Sequence, residues 1–337
     1  LIDPTATGKV KISRLFSKPM PSQIPIVVFA YNRLAPLQKT LRALEKADDF
    51  PGGPIFVYSD GWRSNDAKDQ EAVAQLRSWL KTWAGKRPFV SIISQSTNRG
   101  LRRSITEGVT EQLKNFESLI VLEDDIIVSR CFIRFMHESL NRFNSNEKVC
   151  QVSGYFVPHR QKLAETGFLS VPACWGWATW ARAWKYYNDD VHELLKHISP
   201  DRFDEFNIEN SYPYLEALTA NAKGVQNTWA VRWYASVFPR NLLTLYPSKS
   251  LTRNIGFQYS GTNCHRGKTE RIFTYQPISA TPPSLPAAAE ITRENTDFRN
   301  TLANFYRWQS EQWSAPSIKE IWLARWQRLL QRFMLRP

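Results

Sequence analysis

The chain has 337 residues, 42% of them hydrophobic, with 44 Lys and Arg against 31 Asp and Glu and a formal charge of +13. That length suits one large domain or two medium ones, and no apolar run approaches the ~20 residues of a membrane-spanning helix. The positive balance favours anionic partners; with no compact nucleic-acid module or aromatic–basic RNA motif, phosphate-bearing small ligands and acidic membrane surfaces remain.

No signal-peptide pattern opens the chain. Residues 1–22 are polar and basic and carry Pro4, Pro19 and Pro21, the mark of an extension. "IPIVVFA" (24–30) then reads as a buried strand that ends at "YNR". A helix follows, with Pro36 near its first turn and Leu37, Leu41 and Leu44 on one face. "PIFVYSD" (54–60) is a second strand. Val73, Leu76, Leu80 and Trp83 predict a helix over 66–84, stopped by Gly85. "FVSIIS" (89–94) makes a third strand, and Ile105, Val109 and Leu113 a third helix over 101–115. The fourth strand is 119–122, and Glu123, Asp124 and Asp125 follow it directly.

Strand and helix alternate three times before those acids, a rhythm that predicts a mostly parallel α/β sheet flanked by helices. Ligands of such sheets sit beyond the carboxyl ends of the strands. Arg33, Asp60, Asn98 and the three acids all fall just past strand ends and should converge there. Adjacent carboxylates after a buried strand are costly unless a cation is shared, and oxygen donors favour Mg²⁺ or Mn²⁺. The alternative is a solvated acidic turn.

Beyond 130, Phe132, Phe135, Met136, Leu140 and Phe143 predict a helix, with short strands near 149–153 and 168–172. "CWGWATWARAWKYYNDD" (174–190) is dense in tryptophan, 211–240 reads as helical, 248–267 as a mobile loop and 276–286 as an extended linker. The segment 317–337 is a basic amphipathic helix with Trp322 and Trp326; it suits a lipid interface or docking on protein. The four cysteines, Cys131, Cys150, Cys174 and Cys264, form no C-x-x-C pair. A zinc ribbon is therefore not expected, and a reducing cytoplasm fits.

"PIVVFAYNR", "VYSDG", "NRGLRRSITEGV", "VLEDDIIVS" and "CWGWATW" together resemble the GT-A glycosyltransferases. The closer likeness is to the N-acetylglucosaminyltransferase I type and its bacterial surface-polysaccharide (family 2-like) relatives, over about residues 24–267. The resemblance implies a Rossmann-like GT-A domain over 23–275, with a nucleotide-binding half (23–129) and an acceptor half (130–275). Residues 276–337 are then linker and helical tail. It implies metal-dependent transfer, in its inverting form, from a nucleotide sugar (UDP-linked in the type enzymes) to a glycan or lipid-linked acceptor hydroxyl. The setting it implies is surface-polysaccharide synthesis, cytoplasmic or peripheral on the inner membrane face.

Carried over by position, Asp125 is the direct metal ligand, with His265 a late metal or phosphate contact. Glu123 and Asp124 face ribose and donor sugar, Asp60 the base, and Arg33 the nucleotide and its phosphates. Ala30 and Tyr31 line the base pocket, and Arg102 (or, with a gap, Arg99 or Arg103) contacts the base. Gly176 lies beneath the donor sugar, Trp175 and Trp177 lie around sugar faces, and Arg253 and Asn254 on the diphosphate. Each position has a plainer alternative: a strand end for Arg33, a turn cap for Asp60, a solvated helix face for the arginines. Trp180 and Trp184 read as core. The type enzymes place a base after a tryptophan; if that is Trp229, Ala230 stands there and accepts no proton. The base is unassigned, with Asp190 and Glu216 as candidates, and Arg232 and Trp233 are left to shape the acceptor site. The rival readings are a nucleotidyltransferase, disfavoured by the glycine-free "AYNRLAPL", and a degenerate glycan-binding relative.

Overall fold

The computed structural model describes residues 23–259, 270–287 and 293–314. In chain order the first half is β1 (Ile26–Ala30), α1 (Leu34–Glu45), β2 (Ile55–Ser59), α2 (Ala67–Ala84), β3 (Val90–Ser94), α3 (Gly100–Gln112) and β4 (Ser118–Glu123). Then come β5 (Ile126–Val128), α4 (Phe132–Arg142), β6 (Val149–Ser153), β7 (Thr166–Leu169) and β8 (Trp177–Trp180). Short helices α5 (Ala181–Trp184), α6 (Val191–Lys196), α7 (Phe203–Phe206), α8 (Tyr214–Ala222) and α9 (Ala230–Val237) follow. β9 (Leu243–Pro247), β10 (Thr252–Asn254), α10 (Glu270–Thr274) and α11 (Thr296–Ser314) complete the described residues.

Eight strands form one sheet in the order β3-β2-β1-β4-β8-β6-β9-β7, while β5 and β10 pair as a separate antiparallel ribbon. β3, β2, β1 and β4 are parallel neighbours; β8 runs against both β4 and β6, and β7 against β9. The chain is thus an α/β protein with a mixed, mostly parallel sheet. Period-two alternation divides the strands between its faces. Ile26, Val28, Ile55, Val57, Ile120 and Leu122 join one core with Leu37, Leu41 and Leu80. Val27, Phe29, Leu119 and Val121 join another with Ile105, Val109 and Trp233. Both faces are covered, which is why these strands read as unbroken apolar runs.

Within the tryptophan segment, Trp177 and Trp180 lie in a strand, on opposite faces and fully buried. The segment after 275 is more than a linker. Residues 276–287 are extended but bound to the body. Gln276 Nε2 donates to Phe156 O at 2.7 Å, Ser279 N to Ser250 O at 2.8 Å, and Thr166 Oγ1 to Ser284 O at 3.0 Å. α11 then docks Phe298, Leu302 and Phe305 against the core around β7 and β9, with Phe298 1% exposed. The expected tail helix (317–337) and extension (1–22) lie outside the described residues. No described helix is long and apolar enough to cross a membrane.

Gly167 leaves room for the Phe298 ring: a Cβ there would meet Phe298 Cδ2 at 2.4 Å. Phe298→Ala is therefore expected to cost about 3–5 kcal/mol in urea unfolding. A loss below about 0.5 kcal/mol, the level of an ordinary surface change, would mean that α11 does not belong to the domain.

Candidate functional site

The strand order reverses between β1 and β4, so the loops leaving their carboxyl ends diverge and open a crevice. Phe29 pairs with Glu123, which brings Tyr31–Arg33 alongside the acids. Asp124 and Asp125 turn the chain from β4 into β5 and are 3% and 5% exposed. Arg33 bridges them: its Nη2 donates to Asp124 Oδ1 and lies 2.8 Å from Asp125 Oδ2. α1 holds the turn from one side, with Thr40 Oγ1 donating to Asp124 O at 2.9 Å. The β10 loop holds it from the other, through Ile255 N to Asp125 O at 2.9 Å. A Cβ at Gly256 would come within 2.2 Å of Asp125 Oδ2, so any side chain there would have to push the carboxylate aside.

Three carboxylates meet one guanidinium here. Burial, then the charges of Asp125 and Asp124, push Glu123 from the usual 4.5 to about 8 despite Arg33. Burial raises Asp124 as well, with Arg33 opposing and Asp125 adding to the rise. Burial works against the Arg33 charge, but the two aspartates hold it above its ordinary value. Arg33 Nη1 is buried with no partner among the described residues. The cluster therefore lacks positive charge and offers one donor to an anion. Its oxygen-only donors fit Mg²⁺ or Mn²⁺, which take one or two carboxylates and complete their shells with water and phosphate. Among the described residues no group of three or more His, Cys, Asp or Glu is arranged to hold a metal. A cation on Asp125 must also compete with Arg33 for Oδ2. His265 lies outside the described residues.

Around the crevice, side chains are spent on shaping loops. Asp60 Oδ1 accepts from Gly61 N and Arg99 N, both at 2.8 Å, and Oδ2 from Gly100 N at 2.9 Å; Asp60 thereby fixes the β3–α3 loop. Asn98 Nδ2 adds a bond to Gly61 O at 2.8 Å. Buried Ala30 accepts Asp60 N at 2.9 Å through its carbonyl. Tyr31 donates its hydroxyl to Asp69, which also accepts from Asn32 Nδ2 at 2.6 Å and Arg63 N at 2.7 Å. Arg77 Nη2 donates to the carbonyls of Ser59, Asp60 and Gln95, at 3.2, 3.0 and 2.6 Å. Sequence reasoning passed over Asp69 and Arg77, which read as ordinary polar positions of the second helix. The one available signal was an acid in that helix's first turn.

The second half contributes unevenly. Gly176 has φ +78°, and a Cβ there would meet Thr252 Cγ2 at 2.8 Å and Leu122 Cδ2 at 3.4 Å. It therefore sits under the end of β4, in a conformation that favours glycine. Trp175 is half-buried, edge-on to Tyr155, Phe257 and Phe273 with centroids 4.5, 5.9 and 5.2 Å away. Trp177 has no face for a sugar: it is fully buried, with its ring 5.2 Å from that of Trp229. Trp233 is likewise core, its Nε1 donating to Gln151 Oε1 at 2.7 Å, and does not shape an acceptor surface. Asn254 lies on the Gly256 side of the ribbon, accepting Gly256 N at 2.7 Å. Arg253, the residue before it, projects to the other side, toward α1.

Of the three arginines on the α3 entry, Arg99 and Arg103 both bind Glu107 at its solvent face. Arg102 reaches across to Asp189, which also accepts from Tyr187 Oη at 2.9 Å. Burial raises Asp189, but these bonds more than offset it and hold the carboxyl below its usual range. Arg232 is buried, donating to Asn221 Oδ1 at 2.6 Å and Asp189 O at 3.2 Å. Asp190 caps α6, accepting His192 N at 2.9 Å and Glu193 N at 3.2 Å. Glu216 is exposed on the first turn of α8, and Ala230 is the first residue of α9.

No protein-family description matches the chain, and no curated protein does. Among solved structures it is similar to the mannosyltransferase PcManGT of Pyrobaculum calidifontis, in complex with GDP-Man and Mn²⁺. Identity is 12% and TM-score 0.35, over 67% of this chain and 73% of that one. It is similar also to GalNAc-T7 with UDP, GalNAc and Mn²⁺ (12%, TM-score 0.43, 67% of this chain and 43% of that one). A third is residues 1–349 of S. aureus TarS (13%, TM-score 0.39, 70% and 62%). The chain spans less than two thirds of the latter two. These are likenesses of general architecture; what the crevice does has to come from its own residues.

The charge imbalance has a measurable consequence. With its pKa raised in the folded state, Glu123 contributes stability below pH 4.5 that is lost as pH rises through about 8. Glu123→Gln is therefore expected to raise the unfolding midpoint in EDTA at pH 8.5, by roughly 3 °C or more. The gain should shrink toward pH 5. An unchanged or lower midpoint at pH 8.5 would contradict the strained-acid description.

Proposed function

We propose that the chain is a metal-dependent glycosyltransferase that binds a nucleotide sugar, UDP-linked in the first instance, in the β1/β4 crevice. It passes the sugar to a hydroxyl of a glycan or lipid-linked acceptor, with inversion, in bacterial surface-polysaccharide synthesis at the inner membrane face. The observation that carries this reading is the trio Glu123–Asp124–Asp125, half-buried Glu123 beside two buried aspartates, which a single arginine under-neutralises at the sheet's switch point. A structural ion pair needs one acid for one base. A cation-and-diphosphate site needs surplus carboxylate on one side and a free guanidinium edge on the other.

In this reading Asp125, with Asp124 beside it, holds Mn²⁺ or Mg²⁺, and His265 joins late. A bound divalent cation supplies neutralisation for the charge of the departing diphosphate. Arg33 turns its unpaired Nη1 to a phosphate oxygen, and Asn254 stands at the far wall. Ala30 and Tyr31 line the base pocket. Asp60 has accepted one N–H at Oδ2 and keeps capacity there for a base N–H. Arg102, whose Nε is buried and unpartnered among the described residues, flanks the base. Glu123 and Asp124 address ribose and sugar above Gly176, and half-buried Trp175 offers a ring face to the sugar's C–H side. Asp190 is committed to a helix cap and Glu216 lies exposed on α8, so neither is assigned as proton acceptor.

Isothermal titration with UDP and Mn²⁺ is expected to give saturable binding. Asp125→Asn should weaken it at least tenfold with Mn²⁺ present and leave the small metal-free affinity in place. Arg33→Gln should weaken it by about 1.5–3 kcal/mol, the worth of a charge-assisted hydrogen bond, with or without metal. No binding of UDP, or equal binding by Asp125→Asn, would contradict the proposal.

A further inference from the structure

The strap that follows β2 crosses the carboxyl edge of the sheet and is pinned on both sides of Trp62. Gly61 is held against the loop after β3: its carbonyl accepts Asn98 Nδ2 at 2.8 Å, and a Cβ there would meet Thr97 C at 2.3 Å. Arg63 is held beside the loop after β1. Its N–H donates at 2.7 Å to Asp69 Oδ2, the carboxylate that also binds Tyr31 and Asn32, and its Cζ lies 5.7 Å from the centre of the Tyr31 ring. Trp62 therefore stands over the end of β2, next to Asp60 and between the loops that carry Tyr31 and Asn98.

Arg77 fixes how the Trp62 ring lies. The Arg77 guanidinium is bonded to the carbonyls of Ser59, Asp60 and Gln95, which places it at the ends of β2 and β3. Its Cζ sits over the Trp62 ring at 5.9 Å from the centroid, a cation–π contact that covers one face. Trp62 is half-buried and joins none of the three apolar cores of the described residues. The open part of the ring is thus the face turned away from Arg77 and the strand ends. A flat apolar face on a rigid support, beside a carboxylate with acceptor capacity to spare, suits a planar heterocycle rather than a phosphate. We propose that Trp62 stacks on the base of the nucleotide bound in the crevice, a role that rests on the nucleotide-sugar reading of that site and adds to it the residue that holds base rather than diphosphate. Stacking accepts any base, since each has a π face; the choice among bases falls to the edge contact at Asp60.

Isothermal titration of UDP and of inorganic pyrophosphate, both with Mn²⁺, separates the base from the diphosphate. Trp62→Ala is expected to bind UDP at least about fivefold more weakly than wild type, the low end for one lost base stack. Its affinity for pyrophosphate should stay within about twofold of wild type, because the acids and Arg33 are untouched. Trp62→Phe keeps an aromatic face and should bind UDP more tightly than Trp62→Ala. UDP binding by wild type with no loss in Trp62→Ala would overturn the stacking role and leave the nucleotide reading standing. An equal loss of pyrophosphate would overturn the stacking role as well, since it marks a disturbed loop. Absence of UDP binding by the wild-type protein would overturn both.

Discussion

Where β4 ends, buried Asp124 and Asp125 share Arg33 while half-buried Glu123 stands beside them, and most of the surrounding architecture is arranged around that arithmetic. Burying carboxylates is expensive, and placing three together multiplies the cost. The guanidinium offsets part of it through Asp124 and Asp125 and leaves Glu123 without an ion-pair partner. The loops on both sides are shaped to keep the acids in place. Thr40 takes the carbonyl of Asp124, Ile255 that of Asp125, and Gly256 vacates the volume a side chain would need beside Asp125. A fold that wanted only stability would place an apolar turn here.

The rest of the crevice wall is rigid for a related reason. Asp60, Asp69 and Arg77 are polar side chains whose bonds go largely to the backbone of the loops at the carboxyl ends of β1, β2 and β3. Hydrogen bonds of this kind cost little to keep and much to leave unmade when buried. They hold three independent loops in register with the acid turn. A ligand entering the crevice meets donors and acceptors already placed, which lowers the ordering cost of binding.

The first four strands and three helices were legible because a parallel sheet covered on both faces leaves unbroken apolar strands, and each covering helix keeps one apolar stripe. The convergence of Arg33 with the acids was legible too, since both fall just past strand ends on either side of the sheet's reversal. Other features left weaker traces. The β5/β10 ribbon is built from three-residue strands, too short for a period to register, so the side Arg253 takes could not be read. Trp177, Trp180 and Trp184 mimic helical spacing, yet the first two are strand residues facing opposite cores. Asp69, Arg77 and Asp189 act through loops distant in sequence, and nothing local distinguishes them from solvated polar residues. α11 follows a proline-rich stretch that looks like a linker until its bonds to Ser250, Glu165 and Phe156 are seen.

The central claim is that the under-neutralised acids take a divalent cation together with a nucleotide's phosphates, in competition with Arg33. The most direct measurement is anomalous diffraction at the manganese edge from crystals grown with UDP and Mn²⁺. The expected result is one peak within coordination distance of the Asp125 carboxylate, with the Arg33 guanidinium moved from Asp125 onto a phosphate oxygen. Full nucleotide occupancy with no peak at the acids, and Arg33 still bridging Asp124 and Asp125, would contradict it.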